Sequence, residues 1–293
     1  MTLPQGSPSR SVEGMYKLAG VSRASFYRDW EKSAPPGEET ELRDTIHRLA
    51  LAHRTYGYRR IGALLRREGR VVNHKRLIRV TREDNLLCLR KAAFRPATTD
   101  SNHRWRVWPN LARHITPMGP NRLWVADITY VHLAEAFVYL AVVLDAFSRK
   151  VVGWALGNQL TANLALGALE MALSDRKIAP GELVHHTDRG IQYACGDYIT
   201  RLQAAGIQPS MSRPGCPYDN AMAESFMKTL KAEEVNATSY RNIQHARSAM
   251  RRFIEDVYNR HRLHSALDYL SPVEFELASL SATSTTVALS ANP

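Results

Sequence analysis

Three carboxylates, far apart in the sequence, have the surroundings expected of a phosphoryl-transfer site. Asp127 interrupts the apolar run LWVADITYVHL, Asp188 follows the short segment LVHHT, and Glu224 comes after a further 35 residues, in PYDNAMAESFMKTLK. A charge inside an apolar strand is costly unless it is compensated, so Asp127 is the least ordinary of the three. Ligands that are all oxygen suit Mg²⁺ or Mn²⁺, and two such ions about 4 Å apart can activate an attacking oxygen and stabilise the leaving oxygen of a phosphodiester. The trio therefore predicts a site for two divalent ions and a nucleic acid substrate.

The segments around these carboxylates predict elements that can bring them together. Residues 123–133 are rich in Val, Ile, Thr and Tyr and predict a buried strand, and a shorter strand, 183–187, ends just before Asp188. Residues 220–233 carry apolar side chains at helical spacing and predict a helix that presents Glu224. A strand, a strand end and a helix can converge on one point.

The predicted Glu224 helix also carries positive charge. Asp219 precedes it as the predicted N-cap, and Glu224 falls in its second turn. Lys231, seven residues after Glu224, returns to almost the same face. Lys228 and Lys231 are therefore predicted to contact DNA phosphates.

Three sequence words around the carboxylates carry a family resemblance. WVADITY, HTDRGIQY and DNAMAESF resemble the corresponding words of OrfB-type transposases of bacterial insertion sequences, and more distantly the catalytic core of retroviral integrases. The resemblance implies an α/β, ribonuclease H-like core with a DDE site of Asp127, Asp188 and Glu224. Ile191 and Cys216 stand where the family more commonly has polar residues. Neither is a predicted metal ligand, so these differences bear on the surroundings of the site and not on its ligands.

The C-terminal part of the chain extends the resemblance. Residues 242–267 predict a long basic helix, and its ending, YNRHRLHSALDYLSPVEFE, resembles a C-terminal motif of the same family. Leu263 stands where the family usually has proline, and His264 is predicted to brace the core rather than to bind metal.

The positive charge is concentrated in one segment. The net charge of the chain is +11, yet residues 41–116 alone hold 18 Lys and Arg against 6 Asp and Glu, whereas residues 117–293 hold 16 against 17. A concentrated excess of this kind fits a polyanion surface, with phosphates as the expected anion.

The basic segment precedes the catalytic core in the predicted order of segments. We expect all-α helix-turn-helix segments for DNA binding ahead of the core, and YGYRRI and NHKRLIR resemble that module of OrfB transposases. The predicted DNA contacts there are Arg59, Arg60, Lys75 and Arg76. The predicted divisions are a helix-turn-helix-like segment 1–40 (with 33–40 as a linker), a basic helical domain 41–90, a linker 91–120, the catalytic core with its C-terminal helix 121–277, and a disordered tail 278–293.

Within the core, the expected order is three strands followed by alternating helices and strands. The predicted elements are strands 137–145 and 150–156, which form an antiparallel meander with the Asp127 strand, helix 162–175, helix 196–205 and strand 207–211. Asp145 ends a strand and is predicted to cap a turn rather than to bind metal. His185 and His186 flank Asp188 but are predicted to be structural or substrate-positioning.

The remaining observations limit the class of protein. No apolar run reaches the length of about 18 residues that a membrane helix needs, and no apolar signal core is present, so a cytoplasmic, nucleoid-associated protein is expected. The three cysteines form no Cys-x-x-Cys pair, so neither a zinc module nor a disulfide framework is predicted. The expected partners are insertion-sequence ends and target DNA, further copies of the chain on DNA, and an upstream OrfA product.

Three functions remain open from the sequence. The first is a DDE transposase that cleaves and joins DNA strands with Mg²⁺ or Mn²⁺. The second is a ribonuclease H-like nuclease without joining activity, and the third is a transposase-derived DNA-binding regulator. The intact carboxylates and Lys231 argue against the regulator, and the basic N-terminal segments argue against a nuclease without sequence preference.

Overall fold

The computed structural model describes residues 20, 22, 37–86, 88, 104–134, 136–214 and 216–290. The chain divides into two compact units, Met1–Cys88 and Leu89–Pro293, here called the helical unit and the sheet unit. Of the predicted helix-turn-helix-like segment 1–40, the structure describes only residues 20, 22 and 37–40. No helix in the described ranges has the length and apolar character needed to cross a membrane.

The helical unit consists, in its described part, of α1 (Gly37–Ala52), α2 (Tyr58–Arg67) and α3 (His74–Glu83). Its buried core is aliphatic: Ile46, Ile61, Leu65, Leu77 and Val80. The α2–α3 turn passes through Gly69 at φ +78°, a left-handed conformation that glycine adopts without strain. Asn73 then starts α3, since its side chain accepts the N–H of Lys75 at 2.8 Å.

The first of these helices begins earlier than the sequence predicts. Residues 33–40 were expected to be a linker, whereas α1 starts at Gly37. Glu39 explains part of the difference, because an acidic side chain in the first turn is favoured by the helix dipole and pairs with Arg43 four residues on.

The sheet unit is built on five strands in the order β3-β2-β1-β4-β5. The strands are β1 (Leu123–His132), β2 (Phe137–Asp145), β3 (Val151–Gly157), β4 (Val184–Thr187) and β5 (Gln208–Met211). β1, β2 and β3 pair antiparallel, and β4 joins β1 in parallel. The predicted meander is confirmed, and the order agrees with the ribonuclease H-like arrangement that the resemblance implies.

Helices cover both faces of this sheet. They are α4 (Ala162–Asp175), α5 (Ile191–Ala194), α6 (Gly196–Ala204), α7 (Ala221–Leu230), α8 (Ile243–Arg251) and α9 (Pro272–Ser290). One apolar core packs α4 and α6 on the sheet, and a second packs α7 and α8 on it. Gly153 lets α4 approach β3 closely, because a Cβ atom at this position would lie 2.1 Å from the carbonyl oxygen of Ala168.

Two helices continue with wider, π-helical turns. α7 runs on through Lys231–Val235, and α8 through Arg252–His261. The second continuation supplies Asn259, whose side chain accepts the N–H of Val151 at 3.0 Å and donates to its carbonyl oxygen at 2.9 Å. β3 is the outer strand of the sheet, so Asn259 occupies both backbone groups of one residue on that edge.

The C-terminal region differs from its prediction in extent. The basic helix expected over 242–267 ends at His261, and α9 continues to Ser290 where a disordered tail was expected from residue 278. The segment 278–290 has a low-complexity composition rich in serine and threonine, which suggests disorder. Its alanine and leucine residues nevertheless favour a helix. His264 braces the core as predicted: it is buried and packs edge-on against Tyr258 with ring centroids 5.0 Å apart.

Candidate active site

Asp127 lies in the middle of β1, a strand that pairs with β2 on one side and, through its first residues, with β4 on the other. It stands opposite Val142 of β2, and on the other side β1 pairs with β4 in the register Val125 to His186. Continuing that parallel register by two residues brings Asp188, just after β4, beside Asp127. Sheet register therefore gathers two carboxylates that are 61 positions apart in the sequence.

Asp127 and Asp188 line one small pocket, together with Tyr130, Tyr139, Gln192 and Tyr193 among others. Each carboxylate is oriented by a backbone N–H: Ile128 donates to Asp127 Oδ1 at 2.8 Å, and Gly190 donates to Asp188 Oδ1 at 3.0 Å. Two acidic side chains are thus held at one concave site.

The electrostatics of Asp127 connect it to the other predicted site residues. Burial and the negative charges of Asp188 and Glu224 raise the pKa of Asp127 to about 7, while the Ile128 N–H and Lys231 act in the opposite direction. A strongly raised carboxyl pKa in a cleft marks a candidate functional site, because it combines burial of an acidic group with the charges of specific neighbours.

Glu224 lies near this pair but outside the pocket lining. It occupies the first turn of α7 rather than the second turn expected, and its Oε2 is 3.4 Å from Lys228 Nζ. Among the described residues, no three His, Cys, Asp or Glu side chains stand close enough together to hold a metal ion. The fold therefore brings Asp127 and Asp188 into one pocket and keeps Glu224 beside it, paired with a lysine.

Asn220 fixes the start of the Glu224 helix to the Asp127 strand. It is buried, and its side-chain amide donates to the carbonyl oxygen of Ala126 at 3.0 Å. Sequence reasoning missed this residue, although its position in DNAMAESF, just before the helix, was the available signal. The contact explains how a helix 94 residues away in sequence is held next to Asp127.

Asp219 is not the N-cap that the sequence predicts. Asn220 occupies the N-cap position without a side-chain cap bond, and Asp219 lies in a short 3₁₀ turn, Pro217–Asn220. Asp219 instead accepts two guanidinium hydrogen bonds from Arg213, at 2.9 and 3.0 Å, and the Arg213 N–H at 2.9 Å. The Arg213 guanidinium holds the pKa of Asp219 well below its usual range. The bidentate ion pair with Arg213 is stronger than an N-cap hydrogen bond, so Asp219 pairs with Arg213 instead of capping the helix.

The two helix lysines have different surroundings. Lys231 lies against Tyr130 of the pocket, with its Nζ 4.2 Å from the ring centroid, and burial lowers its pKa while Asp127 acts to raise it. Lys228 is more exposed and pairs with Glu224. Lys231 is therefore the lysine that faces the Asp127 side of the site.

The other acidic and imidazole side chains near the site have structural partners, as predicted. Asp145 is fully buried and accepts the N–H groups of Asn121 and Phe147, at 2.7 and 2.9 Å, which makes it a turn cap. His185 pairs with the Tyr198 hydroxyl at 2.8 Å, and both ring nitrogens of His186 lie within 3.0 Å of serine hydroxyls.

The four predicted DNA contacts all lie in the helical unit. The guanidinium carbons of Arg59 and Arg60 lie over the rings of Tyr58 and Tyr56, at 5.1 and 5.3 Å from the centroids. In α3, Lys75 is exposed, whereas Arg76 is 3.7 Å from the carboxylate of Glu39. Their contacts with DNA stay a prediction.

The chain is similar to known proteins over both of its units. Residues 37–94 match an HTH-like domain, and residues 117–217 and 205–272 match two models of an integrase core domain. The chain is 40% identical, over 89% of its own length and 97% of the relative, to an uncharacterised 31 kDa protein of the insertion element IS600 of Shigella sonnei. It is 35% identical, over 91% of its length and 94% of the relative, to transposase InsF for insertion sequence IS3A of Escherichia coli (strain K12).

Solved structures include more remote similarities. A chain of the simian T-cell lymphotropic virus intasome in complex with PP2A regulatory subunit B56 gamma aligns with 79% of this chain and 74% of its own length, with 15% identity and a TM-score of 0.46. The sequence relatives, by contrast, extend through both the helical unit and the sheet unit.

Proposed function

The chain belongs to the insertion-sequence transposases that carry an integrase core domain, and on that basis we propose that Asp127, Asp188 and Glu224 are its catalytic carboxylates. It is a DDE transposase, a polynucleotidyl transferase with a ribonuclease H-like core and a helix-turn-helix-like segment. A nuclease or a regulator is not favoured, because a relative that covers 91% of the chain is a transposase.

One observation supports the site assignment above the others. Asp127 and Asp188 share a pocket, and the raised pKa of Asp127 depends on burial together with the charges of Asp188 and Glu224. Asp188 and Glu224 therefore both act electrostatically on Asp127, as the members of a cation-binding set would.

A hard divalent cation fits these residues. Their donors are carboxylate oxygens, the pocket holds more negative charge than Lys231 offsets, and Glu224 would complete the set by exchanging Lys228 for the cation. In our proposal two Mg²⁺ or Mn²⁺ ions, when bound, activate the attacking oxygen and stabilise the leaving one.

The reaction has two stages on DNA. In cleavage, a water oxygen attacks phosphorus and loses a proton, the bond from phosphorus to the 3′ oxygen breaks, and that oxygen takes up a proton, which leaves a 3′-hydroxyl end and a 5′-phosphate end. In joining, the 3′-hydroxyl oxygen attacks a phosphodiester of the target, loses its proton, and displaces a new 3′ oxygen. Lys231 would hold the phosphate of the attacking end as a point charge, with Lys228 contributing at the rim once it is released from Glu224.

The helical unit would bring the insertion-sequence ends to this site. Its positive excess supports phosphate binding, to which we assign Arg59, Arg60, Lys75 and Arg76. We further propose that the chain acts as a homo-oligomer on DNA, with or fused to an upstream OrfA product. We also expect the chain to act at the bacterial nucleoid, in the cytoplasm, where its proposed DNA substrate lies.

Strand cleavage by single carboxylate variants tests the assignment. The full chain, alone and fused to the upstream frame, is incubated with labelled element ends and Mg²⁺. Asp127→Asn and Asp188→Asn should each lower cleavage by about 10³-fold or more, since bound metal contributes several kcal/mol to the transition state. End binding should change little. Glu182→Gln, which removes a surface carboxylate paired with Arg122, is the matched control and should cleave normally. Wild-type cleavage by Asp188→Asn would reject the site.

A further inference from the structure

Tyr193 carries a hydroxyl group for which the described part of the chain provides no partner. The residue is 3% exposed and lies in α5, shortly after Asp188. Its hydroxyl oxygen is shielded from bulk solvent and has no hydrogen-bond partner among the described residues. Leaving such a group unpaired costs about 1–3 kcal/mol, so its presence in a native structure needs an explanation.

The neighbouring Tyr198 shows that packing does not supply that explanation. The two rings contact edge to face, with centroids 5.3 Å apart, and both are buried. The Tyr198 hydroxyl lies 2.8 Å from His185 Nε2 and is therefore paired within the protein. A phenylalanine in place of Tyr193 would fill the same space without an unpaired group, so the core alone has no use for this hydroxyl.

The position of Tyr193 suggests where its hydroxyl is used. Tyr193 lines the same pocket as Asp127 and Asp188. Burial raises the pKa of the Tyr193 hydroxyl well above its usual value, and Tyr198, Asp127 and Asp188 add to this effect. The group therefore stays protonated and can serve as a donor close to both carboxylates.

We propose that the Tyr193 hydroxyl is a positioning donor, which gives its hydrogen bond to an oxygen atom held between Asp127 and Asp188 during the reaction. This inference rests on the proposed function, which brings a hydrated divalent cation and a phosphodiester to that pocket. The acceptor is a lone-pair oxygen in either case, a water of the cation's shell or a non-bridging phosphate oxygen. In this proposal the ring of Tyr193 fills space in the core and its hydroxyl serves the site.

Two substitutions that each remove one hydroxyl test the proposal. Tyr193→Phe should leave the free energy of unfolding of the metal-free protein unchanged or higher, because it deletes an unpaired group. The same variant should cleave labelled element ends about tenfold more slowly at saturating Mg²⁺. Tyr198→Phe is the matched control: it deletes the partner of His185, so it should lower stability and leave the cleavage rate of the folded protein within about twofold.

Titration with Mg²⁺ alone distinguishes the two acceptors. Thermal unfolding is followed as Mg²⁺ is added to wild type and to Tyr193→Phe. If the acceptor is a water of the cation's shell, the variant should need several-fold more Mg²⁺ for half of the stabilisation. If the acceptor is a phosphate oxygen, the Mg²⁺ response should be unchanged and only cleavage should slow.

Two results would overturn the inference. The first is a Tyr193→Phe protein with both an unchanged Mg²⁺ response and an unchanged cleavage rate. The second is a loss of metal-free stability as large as that of Tyr198→Phe, which would mean that the hydroxyl has a partner within the protein. A wild-type chain that cleaves no element ends would instead count against the proposed function, and an unchanged Mg²⁺ response would then reject the inference by itself.

Discussion

Asp127 in the sheet unit and Glu39 in the helical unit are both acidic, but their surroundings are opposite. Asp127 is a strand residue whose nearest charges include two further carboxylates, and its pKa rises to about 7. Glu39 lies on a helix within 3.4 to 3.7 Å of three guanidinium groups, those of Arg43, Arg76 and Arg79. In the sheet unit, acidic side chains lie close to one another. In the helical unit, several guanidinium groups surround one acidic side chain.

This contrast indicates how the two units tolerate substitution. A concentrated cluster depends on each member, because removing one charge changes the pKa and the ligand set of the rest. A distributed surface acts through the sum of its charges, so each member contributes a fraction of the affinity. The following predictions test this difference, beginning with the largest effect.

Glu224→Gln and Lys228→Ala should have very different effects, although both break the same ion pair. Glu224→Gln removes a proposed ligand and should lower strand cleavage by about 10³-fold, a loss of several kcal/mol in the transition state. Lys228→Ala leaves the carboxylate in place and should keep cleavage within a few-fold of wild type. Both rates are measured on labelled element ends at saturating Mg²⁺. Equal losses in the two variants would mean that the ion pair, and not the carboxylate, is what the site needs.

The sheet unit should lose stability as the pH falls, through a histidine buried in its core. Burial, with a smaller effect of His186, lowers the pKa of His185 to about 3. Because this folded-state pKa lies below the unfolded value of about 6.5, the contribution is complete above pH 6.5 and is lost as the pH falls towards 3. Between pH 7 and pH 5 the loss from His185 should be about 2 kcal/mol.

Thermal unfolding at several pH values measures this effect. His185→Gln keeps an acceptor for the Tyr198 hydroxyl but does not titrate, so its stability should fall about 2 kcal/mol less than that of wild type between pH 7 and pH 5. Parallel curves for the two proteins would show that His185 is not held neutral by burial.

Lys231 should contribute to joining more than to hydrolysis. It packs on Tyr130 and faces Asp127, a position from which it can hold the phosphate of an attacking end. Lys231→Ala should reduce joining about tenfold, roughly 1.4 kcal/mol, and should reduce hydrolysis at a nick less. Both products are quantified from one labelled duplex, together with those of Lys228→Ala, the rim lysine of the same helix, which should reduce joining less. Undiminished yields of both products would remove Lys231 from the positioning of the end.

The smallest effects are expected from single charges of α3. No carboxylate of the described residues forms an ion pair with Lys75, whereas Arg76 is held by Glu39. Lys75→Ala should weaken end binding a few-fold and reduce the slope of log affinity against log salt by about 1. Arg76→Ala should do less, because part of its charge is already compensated. Fluorescence anisotropy at several salt concentrations gives both values, and a loss of more than about 10²-fold from either change would contradict the distributed surface.

Periodicity and flanking residues predicted most of the sheet unit. The β1 strand was expected at 123–133 and runs over Leu123–His132, and the expected helix 162–175 coincides with α4. These segments have strong apolar patterns, which depend on local sequence alone. Asp127 could be singled out for the same reason, since a charge interrupts such a pattern visibly.

Local sequence patterns could not predict the contacts between distant segments. Nothing in the sequence around Asn220 specifies that it bonds to Ala126, and nothing around Asp219 specifies that Arg213 competes for it. The pairing of Glu224 with Lys228 is local, four residues apart, but in the proposed mechanism it would give way to a bound cation, which no local pattern specifies. The unpaired hydroxyl of Tyr193 needs all its neighbours in place before it can be recognised.

The Asn259 side chain has a consequence for assembly. An outer strand with free backbone groups can accept a strand from another molecule, which leads to aggregation or to sheets that extend across copies. Asn259 occupies the N–H and the carbonyl of Val151 on the outer strand β3 and imitates a neighbouring strand there. Asn259 therefore hinders the addition of a strand from another molecule at this end of the β3 edge.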